Sequence, residues 1–143
     1  LYAASSAGVQ IDLIVRGICG VVPGVPGISD NIRVRSIVGR FLEHARVYYF
    51  ANGGSTELYL ASADWMDRNF FRRIEVCFPV LDRKLKKRVI DAGLKVYLQD
   101  NTQAWDMDGD GHYRHKQARR SAPLCAQNEL LGQLASPPVR AKP

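Results

Sequence analysis

His44 and Arg46 stand two residues apart at the head of an apolar, aromatic run, Val47 to Phe50, that predicts a β-strand. The period of two along a strand puts both side chains on one side, where an imidazole and a guanidinium can meet the same anion. Farther on, Ser62 and Asn69 bracket Ala-Asp-Trp-Met-Asp-Arg, so a hydroxyl, an amide and a helix N-terminus can all donate hydrogen bonds to an anion. Arg16, followed by Gly17, ends another β-branched run, Ile11 to Val15. Permanent cations, one titratable imidazole and neutral donors are the residue types that stabilise phosphate oxygens. Arg16 can do so at any physiological pH, and an imidazole, with an ordinary pKa of about 6.5, can also give or take a proton.

The elements that must position these residues follow from pattern. Ile11 to Val15 reads as a buried strand delivering Arg16 at its C-terminal end, where α/β folds bind ligands. Gly20 to Asn31 holds Pro23, Gly24, Pro26 and Gly27 and is expected as a rigid loop over the strand ends. Ile32 to Arg35 alternates apolar and basic residues, and Ser36 is a candidate cap for a short helix through Leu42. Asn52-Gly53-Gly54 supplies a turn with positive φ, and Glu57 to Ala61 returns as the partner of Val47 to Phe50. Ile74, Val76 and Phe78 alternate as a further strand closed by Pro79.

From Asp82, Leu85, Val89, Ala92 and Val96 recur at helical spacing, with Arg83 to Arg88 mostly on the opposite, solvated face and Gly93 as a weak point. Ala104 to His115 reads as a hairpin about Asp108-Gly109. Asp106 to Gly111 has a calcium-loop flavour, but Gln117 stands where an EF-hand needs a bidentate Glu, so the hairpin is the better reading and no metal ligand set is assigned. Gln127 to Leu134 closes as a short helix. Residues 1–135 are expected as one domain cut from a longer chain, because Leu1 to Val9 reads as the last turns of a helix begun upstream, with 136–143 a loose tail.

Composition narrows the rest. A chain of 143 residues with 46% hydrophobic and 24% charged residues is ordinary globular material, large enough for a real core. Cys19, Cys77 and Cys125 are odd in number and widely spaced, which supports neither a disulfide framework nor a zinc site and fits a reducing cytoplasm. No run approaches bilayer length, so a soluble protein is expected, with surface association to a membrane left open. The net charge of +6 favours an anionic partner.

The order His44-x-Arg46, Ser62, Asn69 resembles one half of the phospholipase D fold, with Arg46 in place of the usual Lys and Ala61 in place of a Gly. An arginine fork binds two phosphate oxygens where a lysine offers a point charge. A wider resemblance is carried by Val15-Arg-Gly-Ile-Cys19, Leu42-Glu-His-Ala-Arg46 and Ser62-Ala-Asp-Trp-Met66: in this order they are similar to the C-terminal domain of type 1 polyphosphate kinases, densely from Leu1 to about Asn101. That resemblance implies an α/β phospholipase D-like half, a mixed β-sheet flanked by helices. It implies an enzyme that reversibly moves the terminal phosphate of ATP onto inorganic polyphosphate through a phosphohistidine in a preceding domain, with magnesium ligands upstream as well.

Arg16 and His44 match positions that contact the nucleotide phosphates, with Arg46, Ser62 and Asn69 as further contacts. ATP, ADP and polyphosphate are the implied partners, together with upstream domains and a second copy of the full-length chain; no nucleic acid is expected. Two other readings stay open, a phospholipase D-like phosphodiesterase and a noncatalytic polyanion or nucleic-acid module. The bland readings stay open too: Ser62 or Asp64 as the cap of a short helix holding Trp65 and Met66, Asn69 as a turn residue, and Arg72 or Arg73 paired with Glu75 or Asp67.

Overall fold

A computed structural model of the chain describes residues 1–118 and 121–135; the expected tail at 136–143 lies outside them. The chain divides into two compact units, residues 1–43 with 97 onward, and residues 44–96.

The first unit is built on a four-stranded sheet of order β1-β2-β6-β7, comprising β1 (Ile11–Ile14), β2 (Ile32–Ile37), β6 (Ala104–Met107) and β7 (Tyr113–His115). β1 and β2 run parallel and the other pairs antiparallel, so this sheet is mixed. Ile32, Val34 and Ser36 on β2 are buried and Arg33 is exposed, the alternation expected of a strand with one face on the core, until Ile37 at its end is buried on the other face. The arginines of the other face pair across the sheet, exposed Arg33 with Asp12 at 2.7 Å and largely covered Arg35 with Asp106 at 2.8 Å. Arg35 reaches farther, donating from Nη1 to the carbonyls of Tyr97 and Leu98, which satisfies the last turn of helix α4 (Val96–Gln99). The short helix α1 (Tyr2–Ser6) is tied in by Asn31, whose backbone N–H donates to Ser5 Oγ and whose Nδ2 donates to the Ser5 carbonyl.

Asp100 joins two elements of this unit from a position with no solvent exposure. Its Oδ1 accepts the backbone N–H groups of Thr102, Gln103 and Ala104, where β6 begins. Its Oδ2 accepts the N–H of Ala126, the first residue of helix α5 (Ala126–Ala135). A carboxylate at a helix N-terminus is favoured by the orphan donors and the dipole there.

The second unit carries an antiparallel sheet of order β3-β4-β5: β3 (Val47–Phe50), β4 (Glu57–Ala61) and β5 (Cys77–Pro79). The β3–β4 hairpin turns through a 3₁₀ segment, Asn52–Gly54, with positive φ at all three residues, as Asn-Gly-Gly predicts. Leu58 is its most buried large side chain. Helix α2 (Asp67–Arg72) lies between β4 and β5 in the chain. Helix α3 (Arg83–Ile90) starts at Asp82, whose Oδ1 accepts the N–H groups of Lys84 and Leu85, and passes into a π turn, Asp91–Lys95, around Gly93.

Two expectations are corrected. No helix follows Ser36: it belongs to β2, buried and paired with Trp105, and the chain bends at residues 39–41. The backbone of Phe41 is instead bonded on both sides by Gln127, its N–H to Oε1 at 3.0 Å and its carbonyl from Nε2 at 2.7 Å, which removes it from any helical ladder. The alternating run Ile74, Val76, Phe78 is a strand only from Cys77, with all three exposed. Before it, the Val76 N–H bonds to the Ser62 side chain rather than to a neighbouring strand.

Asp100→Asn should destabilise the chain by about 3 kcal/mol, because the amide must turn its NH₂ toward a backbone N–H that now donates to a carboxylate. Exposed Asp110→Asn should fall within about 0.5 kcal/mol of the parent. Denaturant melts of the two variants check this, and equal stabilities would contradict the role given to Asp100.

Candidate functional site

Two groups of candidate residues exist, one in each unit. In the first, Arg16 follows β1 half-buried, and its Nη1 donates to the Glu43 carbonyl at 2.6 Å. Glu43 is itself fixed through its side chain, with Oε1 accepting Gln127 Nε2 at 2.7 Å and Oε2 accepting the Tyr97 hydroxyl at 2.9 Å. Burial, followed by the Glu43 carboxylate, raises the Tyr97 phenol well above its usual range, so that it stays protonated as the donor.

In the second, His44 is exposed and precedes β3. Arg46 is half-buried, with Nη2 2.9 Å from Asp64 Oδ1 and Nη1 donating to the His44 carbonyl at 2.8 Å. Asp64, one of the two candidate helix caps, is therefore an ion-pair partner. Trp65 and Met66 precede α2, which has no side-chain cap. Trp65 stacks on Tyr48 with ring centroids 6.0 Å apart and meets Phe70 edge-on at 6.5 Å, which holds an exposed indole beside the Arg46–Asp64 pair.

Ser62 and Asn69 are brought together by Glu75. Ser62 Oγ donates to one carboxylate oxygen at 2.5 Å and Asn69 Nδ2 to the other at 2.6 Å. Asn69 lies inside α2 with 4% exposure, and its Oδ1 is buried without a hydrogen-bond partner among the described residues. Both neutral donors thus face an anion that belongs to the protein itself. The Ser62 and Asn69 hydrogen bonds, with Arg73 and Arg46 nearby, hold the Glu75 carboxyl below its ordinary value.

Sequence reasoning placed Arg16, His44, Arg46, Ser62 and Asn69 in one anion-handling set. The structure joins Arg46 to Asp64, Ser62 and Asn69 to Glu75, and Arg16 to Glu43. From sequence, Asp64 reads as a helix cap and Glu75 as an arginine partner. Glu43, Tyr97 and Gln127 were missed as a group, since Gln127 meets Glu43 across 84 residues of chain and no local spacing signals that.

Asp108, Asp110 and His112 bring possible metal ligands within 4.8 Å of one another at the β6–β7 turn. Asp108 already accepts the N–H groups of Asp110 and His112 and pairs with Arg114 at 2.9 Å. Such a carboxylate closes a hairpin turn. Cys19, Cys77 and Cys125 are free thiols, and no helix of the described residues is long and apolar enough to cross a membrane.

Residues 1–127 match the sequence model of the family described as polyphosphate kinase C-terminal domain 2. The chain belongs to that family. It is 63% identical over 135 residues to a polyphosphate kinase of Burkholderia lata, covering 94% of this chain and 19% of that protein. A polyphosphate kinase of Paraburkholderia phytofirmans is 60% identical over 136 residues, 95% of this chain and 20% of that protein. Among solved structures, polyphosphate kinase from Porphyromonas gingivalis superposes with a TM-score of 0.89 at 46% identity, covering 94% of this chain and 20% of that one. The chain therefore spans about a fifth of the length of the relatives it matches. The α/β, phospholipase D-like fold of this family is the fold of the chain, with its strands in two sheets.

Because the folded-state pKa of Glu75 is depressed, the bonds from Ser62 and Asn69 favour the native state above the ordinary value of 4.5, and their contribution is lost as pH falls through the lower, folded-state value. A carboxyl-detected NMR titration should place Glu75 below 4.5, and Ser62→Ala should move it back up. Titration of the parent Glu75 at or above its ordinary value would show that the two hydrogen bonds do not form.

Proposed function

We propose that this chain is the phosphate- and nucleotide-binding C-terminal segment of an enzyme that reversibly transfers the terminal phosphate of ATP to inorganic polyphosphate. Family membership over residues 1–127 carries the reading, together with the His44-x-Arg46 and Arg16 positions that the family resemblance assigns to phosphate contact. Phosphoryl transfer is mostly positioning and stabilisation of anionic oxygens, which permanent guanidinium charges supply without proton bookkeeping.

In this reading Arg16 orients the nucleotide phosphates. His44 hydrogen-bonds the leaving β-phosphate oxygen, donating a proton to it in one direction and receiving one in the other. Arg46, braced by Asp64, holds charge close to the same oxygens. Ser62 and Asn69 act with Glu75, either exchanging the carboxylate for a phosphate or fixing it at the edge of the site. The covalent phosphohistidine forms on a histidine outside this chain, magnesium handling also lies outside it, and no step here passes through the metal. The three free thiols fit a cytoplasmic setting, and the longer protein is expected to self-associate.

In the full-length enzyme, His44→Ala should lower ATP-dependent polyphosphate synthesis at least about a hundredfold, the scale of a lost general acid or oxyanion donor. It should hardly move the melting temperature, because an exposed imidazole supports little packing. Phosphodiester hydrolysis in place of polyphosphate synthesis would favour a phospholipase D-like enzyme. The chain alone should bind tripolyphosphate, more weakly as salt rises, and incorporate no radiolabel from ATP. Covalent label on this chain would place the nucleophile here and sink the assignment.

A further inference from the structure

We infer that Gln127 and Tyr97 are positioning residues for anion binding by Arg16, acting through Glu43; the inference rests on the reading of Arg16 as a phosphate contact. The Arg16 guanidinium is directed by its hydrogen bond to the Glu43 carbonyl at 2.6 Å. A carbonyl can orient a guanidinium only if its own peptide is held, and residues 42–46 belong to no helix or strand.

The side chain of Glu43 supplies the hold. One carboxylate oxygen accepts from Gln127 Nε2 at 2.7 Å and the other from the Tyr97 hydroxyl at 2.9 Å, so the carboxylate is gripped from two elements distant in sequence. Gln127 also bonds the backbone of Phe41 at both its N–H and its carbonyl, pinning the chain two residues before Glu43. With 4% exposure and a place in the first turn of α5, Gln127 is a stiff anchor.

The path of the chain is built around this grip. A Cβ at Gly39 would lie 2.4 Å from the side-chain oxygens of both Gln103 and Gln127, so any larger residue would push the amides apart. A helix end, a tyrosine and a glycine thus hold the residue whose peptide carbonyl accepts the Arg16 guanidinium. Loss of the grip lets that carbonyl wander, and the arginine must then be ordered by the anion itself, at a cost in affinity.

A double-mutant cycle with tripolyphosphate as the probe tests this, by calorimetry on the 143-residue chain at low salt and below every variant's melting temperature. Arg16→Ala should weaken binding about tenfold, Gln127→Ala about fivefold and Tyr97→Phe about threefold. Once Arg16 has been replaced, neither of the other two substitutions should weaken binding further. A purely structural role would lower melting temperatures yet leave the affinity of the folded variants unchanged, or change it equally with and without Arg16; either result overturns the inference. If Gln127→Ala does not fold, Tyr97→Phe, which removes one hydroxyl, decides alone. Should Arg16→Ala itself leave tripolyphosphate affinity unchanged, the phosphate reading of Arg16 fails and the positioning role falls with it.

Discussion

A single buried carboxylate, that of Asp100, sets the order of the first unit. Four backbone N–H groups from two parts of the chain converge on it, starting β6 on one oxygen and α5 on the other. A buried anion without such partners would cost several kcal/mol, so the surrounding chain is constrained to present those donors. The consequence runs outward: α5 begins where Asp100 fixes it, its second residue is Gln127, Gln127 grips Phe41 and Glu43, and the Glu43 carbonyl receives Arg16. The apolar core gives this chain of bonds limited help, since the buried hydrophobic residues of the unit include only a few large side chains, chiefly on β2. Polar bonds with fixed geometry carry the precision that the proposed anion contact at Arg16 needs.

Positive charge is divided among several tasks. Arg33 and Arg35 pair with Asp12 and Asp106 across the first sheet, Lys87 and Lys95 bracket Asp91 on one helix face, and Arg114 closes the β6–β7 turn with Asp108. The net charge of +6 is therefore a poor guide to where an anion binds. Arg35 in particular is a structural cation, with its guanidinium taken up by a carboxylate and by the carbonyls at the end of α4. The alternating basic strand β2 is thus an internally neutralised one.

What the sequence made legible was local. The β3–β4 hairpin follows from Asn-Gly-Gly between two apolar runs, β1 from its β-branched residues, and the start of α3 from Asp82, all interactions within a few residues. The segment after Ser36 was not legible, because the partner that keeps it from being helical lies 86 residues on, in Gln127. The candidate site divides the same way. His44-x-Arg46 and Arg16 are visible as residue types at strand ends, while the partners that orient them, Asp64, Glu43 and Tyr97, are chosen by tertiary contact. Glu75 shows the limit most clearly: its two donors stand 13 and 6 residues before it, and only the close approach of β4, α2 and β5 reveals that it joins them.

The proposed function requires phosphate chains to bind at defined arginine and histidine positions rather than by diffuse charge. Titrating tripolyphosphate into the isotopically labelled chain and following side-chain Nε signals of the arginines and ring signals of the histidines by NMR tests it directly. Saturable shifts at Arg16 and His44, with small, non-saturating changes at Arg83 and Arg88, are the predicted result. Comparable shifts along the Arg83 to Arg88 helix face, with Arg16 and His44 no more affected than their surroundings, would contradict it.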